Sequence, residues 1–249
     1  MSATLLVGEG ALSEGEIQVA GEEFRHLFRA RRLTVGEGVR VVDGLGRARF
    51  STVLRVSRSA AVLEVGEDAP SNEPSRRVEI LVGALRPQRA SWLVEKATEV
   101  GVYAVRFIAS ERAPRRFGTK TLERLCRVAR SAVEQSGRAR LPEISGVHKW
   151  TEVAELIDGL ESRWVLEPGH TTETQFRTPG KKSVALLVGP EGGFSAGEKS
   201  LLEEQGCRPS GLGPRILRVE TAALVGAAAL LVGVEAGRGK CVSSSVDTL

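Results

Sequence analysis

The sequence predicts an α/β protein in two parts, a small N-terminal β-barrel and a larger domain built on a mainly parallel sheet. Three observations predict it. After residue 76, near-continuous apolar runs of strand length alternate with helical patterns, the order that builds a parallel sheet covered on both faces. Before residue 66, shorter alternating runs are joined by glycine turns. Between them, Gly66 to Ser75 holds two prolines, three acids and no bulky apolar residue, the composition of a linker. The expected domains span residues 1–72 and 76–241.

Each element follows from its residues. Glu22 to Leu33 places Phe24, Leu27, Phe28 and Arg31 at helical spacing. Val39 to Val42, Arg47 to Val56 and Ala60 to Val65 read as strands, the first two joined by Asp43-Gly44-Leu45-Gly46, a hairpin signal. Beyond the linker, Val78 to Leu85 reads as a buried strand. Ala90 to Val100 puts Leu93, Ala97 and Val100 on one helical face, stopped by Gly101. Val105 to Ile108 is a strand, Thr119 to Gln135 a helix, and Ile144 to Val147 a strand. Thr151 to Leu160 is a helix, Trp164 to Leu166 and Val184 to Val188 are strands, and Ala196 to Gln205 and Thr221 to Ala236 are helices.

Composition narrows the function. The 249 residues are 41% apolar, enough for a real core. The longest apolar run, Ala222 to Val234, is too short to cross a bilayer, which needs about 20 residues. The N-terminus lacks the basic start of a signal peptide, so a soluble cytoplasmic protein is expected. Cys126, Cys207 and Cys241 are far apart and form no C-x-x-C, which speaks against disulfides and a zinc site. His26, His148 and His170 carry no metal-binding spacing and read as structural or surface residues. The tail after Gly239 reads as disordered.

The net charge of +4 understates a pattern. Residues 76–165 carry 17 basic and 11 acidic side chains, against 9 and 11 before them and 9 and 9 after. Of the 35 basic residues, 28 are arginine, whose planar fork matches phosphate. A second cluster, Arg25, Arg29, Arg31 and Arg32, has no acid between Phe24 and Gly36. Both clusters suit a polyanion. Arg124, Arg127 and Arg130 step along one helix and suit either phosphate or water.

The chemistry concentrates in two glycine-rich turns, each leaving a strand and entering a helix. The first is Val188-Gly189-Pro190-Glu191-Gly192-Gly193-Phe194-Ser195, whose Ser195-x-x-Glu198 is a capping box. The second is Gly211-Leu212-Gly213-Pro214-Arg215-Ile216-Leu217-Arg218-Val219-Glu220-Thr221. Ligands of open α/β sheets sit beyond the carboxyl ends of strands, so both turns should line one site. A phosphate-binding G-x-x-x-x-G-K-S/T fails, because Glu198 stands between Gly197 and Lys199. A G-x-G-x-x-G fails too, because Arg215 and Ile216 follow Gly213.

The paired turns resemble the signature of a bacterial 16S ribosomal RNA uridine-N3 methyltransferase family within the trefoil-knotted SPOUT superfamily. Further matches run collinearly along the chain: Arg29-x-x-Arg32 with Asp43-Gly44, Glu95-Lys96-x-x-Glu99-x-Gly101, Ser110-Glu111-Arg112, and Glu134-Gln135-x-Gly137-Arg138 with Pro142. The resemblance implies a PUA-like barrel and a knotted α/β domain. It also implies S-adenosylmethionine held at a homodimer interface, and methylation of one uridine N3 in 16S RNA, as part of the assembled small ribosomal subunit.

On that resemblance the cofactor residues are Leu166, Val188, Gly189, Glu191, Gly192, Leu212, Gly213, Ile216, Leu217 and Arg218. Arg218 is a candidate to stabilise negative charge on the uracil carbonyls. Glu191 and Glu220 are candidate bases for the N3 proton, although Glu220 equally suits a helix start and Glu191 a loop-ordering role. Arg29, Arg32, Arg112 and Arg138 are the expected RNA contacts. Two rivals remain: a related knotted RNA methyltransferase with another target, and a non-catalytic ribosome-assembly protein that binds RNA.

Overall fold

The computed structural model describes residues 3–8, 12, 15–25, 28, 32–113, 117–169, 176, 180 and 182–235. The N-terminal domain is a five-stranded sheet. Its strands are β1 (Ala3–Leu6), β2 (Gly15–Ala20), β3 (Gly38–Val42), β4 (Ala48–Val56) and β5 (Ala60–Asp68), with α1 (Gly21–Phe24) after β2. The order is β1-β3-β4-β5-β2, with β1 and β3 parallel and the other pairs antiparallel. Alternate residues Val39, Val41, Val53, Ala61 and Leu63 close over Leu5, Val19, Phe24 and Phe28 to form its core.

The β3–β4 hairpin forms where its turn residues predict. Asp43 caps it, accepting from the amides of Leu45 (2.8 Å) and Arg47 (3.0 Å) and from Arg47 Nε (2.7 Å). Burial would raise the Asp43 pKa, but these bonds outweigh it and hold the carboxyl below its ordinary value. A depressed carboxyl stabilises the fold above its unfolded pKa, and that contribution fades as pH falls through the folded one. Asp43→Asn should therefore destabilise at pH 7, with the gap to wild type narrowing below about pH 4. Urea unfolding at pH 7 and pH 3 checks this, and an equal gap at both would contradict it.

Two predicted elements differ in the structure. The helix expected over Glu22 to Leu33 has ended by Arg32, whose φ of 57° is left-handed and incompatible with a continuing helix. The linker is also not loose. Glu73 accepts from Arg138 Nη2 (2.8 Å) and from the amides of Ala139 and Arg140 (both 2.9 Å). Arg40 donates to Pro70 O (2.9 Å) and across to Gly137 O (2.6 Å). Leu6, Val42 and Ala48 of the barrel share an apolar cluster with Val133 and Ala139. Segment 69–76 is therefore a pinned joint.

The C-terminal domain places helices on both faces of a six-stranded, wholly parallel sheet. Its strands are β6 (Arg77–Gly83), β7 (Ala104–Ile108), β8 (Glu143–His148), β9 (Ser162–Leu166), β10 (Ser183–Val188) and β11 (Arg208–Ser210). Their order is β11-β9-β10-β6-β7-β8. On one face α2 (Pro87–Val100), α3 (Thr119–Ser136) and α6 (Val219–Glu235) pack over Val78, Ile80, Val82 and Leu186. On the other, α4 (Val153–Ile157) and α5 (Ala196–Glu204) cover Leu81, Ala185 and Leu187. Side chains of β6 and β10 serve both layers in alternation, which is why these strands read as near-continuous apolar runs, interrupted in β6 by Glu79. Helix α6 lies close to the sheet because it carries Gly226, where a Cβ would come within 3.0 Å of Leu186 and 3.1 Å of Leu166.

Among the described residues no helix is long and apolar enough to cross a membrane, and no group of residues could hold a metal ion. The tail after Gly239 and Cys241 lie outside the described residues.

Candidate functional site

Three neighbouring strands, β9, β10 and β11, end at one edge of the sheet, and the segments leaving them enclose a cavity of about 410 Å³. That size lies within the range of small-molecule sites. Leu166 ends β9 and Glu167 and Pro168 follow it, Val188 ends β10 with Gly189 to Glu191, Gly193 and Phe194 beyond it, and the segment from Ser210 to Val219 leads from β11 into α6. The Glu167 amide donates to Ser210 O at 2.9 Å, which ties two of the walls together.

The first turn is fixed from behind. Ser195 Oγ accepts from the Glu198 amide (3.3 Å) and Glu198 returns the bond to the Ser195 amide (2.8 Å). The second Glu198 oxygen takes the Glu111 amide at 2.8 Å. Phe194 is buried with its ring 5.3 Å from that of Trp150. Arg112 donates to the Gly192 carbonyl and lays its side chain along that glycine. The turn is therefore rigid before any ligand arrives.

The second turn is the opposite. Among the described residues, no backbone group from Gly211 to Leu217 makes a hydrogen bond within the protein. Gly213 holds a left-handed φ of 95° that other residues adopt only at a cost. Ser210 lines the cavity with its buried Oγ unpartnered. Buried polar groups normally find partners, so this wall is built for a polar ligand. Leu166, Val188, Leu212, Leu217 and Ala222 supply apolar surface beside it.

Leu166, Val188, Gly189, Glu191, Leu212, Gly213, Ile216, Leu217 and Arg218 all line the cavity. Gly192 does not; it faces Arg112 on the outer side of the turn. Arg218 is exposed, and its guanidinium has no partner among the described residues. Glu220 is 6% exposed and does not line the cavity. It lies in the first turn of α6, which suits the helix dipole, and its expected role as a base reaching substrate is corrected accordingly. One of its oxygens has no partner.

Arg89, which the sequence did not single out, joins the two turns. From the first turn of α2 it donates to Glu191 and lies 3.6 Å from Glu220. No local signal separates it from Arg86, three residues earlier in the same stretch after β6.

Of the expected RNA contacts, Arg138 is corrected. It is 4% exposed, and its guanidinium is used by Glu73 and by the carbonyls of Thr98 and Val102, both at 3.0 Å. These bonds to the protein leave it little to offer a phosphate. Arg29 lies outside the described residues, Arg32 is exposed on the barrel, and Arg112 is exposed at the rim of the first turn. Burial pushes the Cys207 thiol up to about 11, which removes it as a nucleophile. His148 is spent on Ser145 (2.8 Å) and Glu152 (3.3 Å).

Comparison with known proteins agrees with this architecture. Residues 71–231 match the family described as an RNA methyltransferase domain, and residues 19–66 match an RNA methyltransferase PUA domain. The chain is 31% identical to ribosomal RNA small subunit methyltransferase E of Mycobacterium bovis, over 92% of this chain and 90% of that one. It is 27% identical to the protein of that name from Bacillus subtilis, over 89% and 91% of the two chains. A crystal structure of the Neisseria gonorrhoeae methyltransferase E bound to S-adenosylmethionine superposes with a TM-score of 0.82, at 25% identity, covering 93% of this chain and 98% of that one. With a matched domain over most of its length and a relative above 30% identity, the chain belongs to the ribosomal RNA small subunit methyltransferase E family, a family of PUA-domain, SPOUT-type RNA methyltransferases.

Proposed function

We propose that this enzyme methylates N3 of a uridine in 16S ribosomal RNA within the small ribosomal subunit, as a cytoplasmic homodimer with S-adenosylmethionine in the 410 Å³ cavity. The observation that carries the proposal is the unbonded backbone of residues 211–217 beside the orphaned Ser210 hydroxyl. These groups suit the adenine and ribose of the cofactor, with Leu166, Leu212 and Leu217 against the ring. Bound there, the cofactor supplies an electrophilic methyl group.

The chain's own residues have two remaining tasks. N3 of uracil loses a proton as it gains the methyl, and charge builds on the adjacent carbonyl oxygens. Arg218, unpartnered at the cavity, donates to those oxygens. Glu191, three-quarters exposed at the rim and oriented by Arg89, is the carboxylate placed to take the proton. Arg29, Arg32 and Arg112 hold RNA phosphates.

The outer side of α6 supports a second copy. Ala222, Val225, Ala229 and Val232 recur on one side of the helix, with Val225 43% and Val232 60% exposed. Ile216, at the cavity, is 90% exposed, and Trp92 on α2 is 40% exposed. Such an apolar stripe suits a two-fold partner. Val225→Glu with Val232→Glu should give monomers in sedimentation velocity and weaken cofactor binding, since Ile216 then loses its cover. A variant that stays dimeric would contradict this interface.

The substrate class is tested by offering labelled S-adenosylmethionine with small subunits, large subunits and bulk transfer RNA, each from cells lacking this enzyme. Label should enter only small-subunit RNA. Label confined to transfer RNA or large subunits would overturn the assignment.

A further inference from the structure

A second cleft, of about 520 Å³, opens between the two domains at the other end of the parallel sheet. Arg77 opens β6 there and Lys182 precedes β10, whereas the cofactor cavity lies at the carboxyl ends of β9, β10 and β11. The length of β6 separates the two by roughly 20 Å. The barrel contributes Arg47 to this cleft, and the C-terminal domain contributes Arg77, Arg140 and Lys182.

The charge in this cleft is unbalanced by construction. Its one acidic lining residue is Glu73, and Glu73 is consumed by Arg138 and the two amides that follow it. The carboxylates that serve Arg47 and Arg77 stand behind them. Buried Asp43 takes Arg47 Nε at 2.7 Å, and buried Glu79 takes Arg77 Nε at 2.6 Å. Tyr103, the only tyrosine of the chain, has the Arg77 guanidinium 4.0 Å and the Arg140 guanidinium 5.1 Å from its ring centre. The forks are thus held in place by groups that do not use them up. Among the described residues, both Nη atoms of Arg47, Nη1 of Arg77, Nε and Nη1 of Arg140 and the Lys182 ammonium have no hydrogen-bond partner.

We infer that this cleft is a binding site for backbone phosphates of RNA, separate from the methyl-transfer site. Preorganised guanidinium forks beside a point-charge lysine recognise phosphate oxygens with little ordering cost. Donors on both domains favour a polyanion long enough to span the joint. An RNA strand gripped here is anchored at a distance from the uridine being modified, and its grip is blind to sequence. The inference rests on RNA being the substrate.

Lys182 gives the cleanest test, because its side chain is exposed and only its backbone bonds to Arg77 (2.7 Å) and Glu161 (3.0 Å) serve the fold. Binding of the full-length protein to small subunits lacking the methyl group is followed against salt concentration. Lys182→Ala should flatten the log–log slope by about 0.7–0.9, one phosphate contact, and Lys182→Glu should weaken binding further. Lys149→Ala, equally exposed but outside the cleft, should leave the slope as in wild type. S-adenosylmethionine affinity should not change in any of them. Wild-type slopes for both Lys182 variants, with methyl transfer intact, would overturn the phosphate site alone. Absence of salt-dependent RNA binding by the wild type would overturn the functional assignment with it. Saturable binding of inorganic pyrophosphate that Lys182→Ala abolishes, with RNA binding unaffected, would reassign the cleft to a free phosphate ligand.

Discussion

Arg218→Ala is expected to lower the methyl-transfer rate by about 10²–10³-fold, the usual effect of removing one donor to developing negative charge. The S-adenosylmethionine affinity and the unfolding free energy should stay close to wild type. The reason lies in what Arg218 lacks. It is exposed at the cavity and its guanidinium has no partner among the described residues, so its loss breaks nothing in the resting protein. Arg89 at the same cavity is spent on Glu191 and Glu220, and removing it would disturb both turns. Single-turnover rates with saturating cofactor measure the effect directly. Near-normal rates would remove Arg218 from the chemistry, whereas a loss that vanished at high cofactor concentration would make it a binding residue.

Arg138→Ala is expected to cost about 3–5 kcal/mol of stability, the range for breaking a buried ion pair from one side. It would leave the partly exposed Glu73 carboxylate without its cation, and take one bond each from the carbonyls of Thr98 and Val102 at the end of α2. The same Arg138–Glu73 pair orders the joint between the domains, so the barrel should loosen as well. Denaturant unfolding measures the loss. A phosphate-binding arginine would behave in the reverse way, with unchanged stability and weakened RNA binding, and that outcome would contradict the buried-pair assignment.

Arg138 also marks where sequence stops being informative. It sits among ten bases between Arg106 and Arg140, and nothing local distinguishes it from its exposed neighbours. Its partner Glu73 is 65 residues away, in a stretch whose prolines and acids read as solvent-exposed linker. Burial of a charge is a tertiary fact, and the composition that suggests a linker also suits a pinned joint.

The parallel sheet was legible for the opposite reason. Strands buried on both faces are apolar nearly throughout: Val184 to Val188 is wholly so, and Val78 to Val82 is broken only by Glu79. Strand β2 was missed because of its six residues only Val19 is buried, so it reads as polar. Strand β1 was missed because it has four residues, too few for a period. The cavity was legible through its glycine turns, whose spacing constrains the backbone itself. Arg89 was not, because the predicted helix began one residue after it, and a cation at a helix start has no pattern until the opposite wall is in place.

The measurement that decides the central claim is the identity of the methylated nucleoside. Small subunits lacking the modification are incubated with the enzyme and labelled S-adenosylmethionine, their RNA is digested to nucleosides, and the labelled product is identified by mass and retention. The cavity, Arg218 and the rim carboxylate predict label in 3-methyluridine, with none from the Arg218→Ala protein in the same interval. Label in a 2′-O-methylated or other base-methylated nucleoside would contradict the assignment of uridine N3 and the roles given to Arg218 and Glu191.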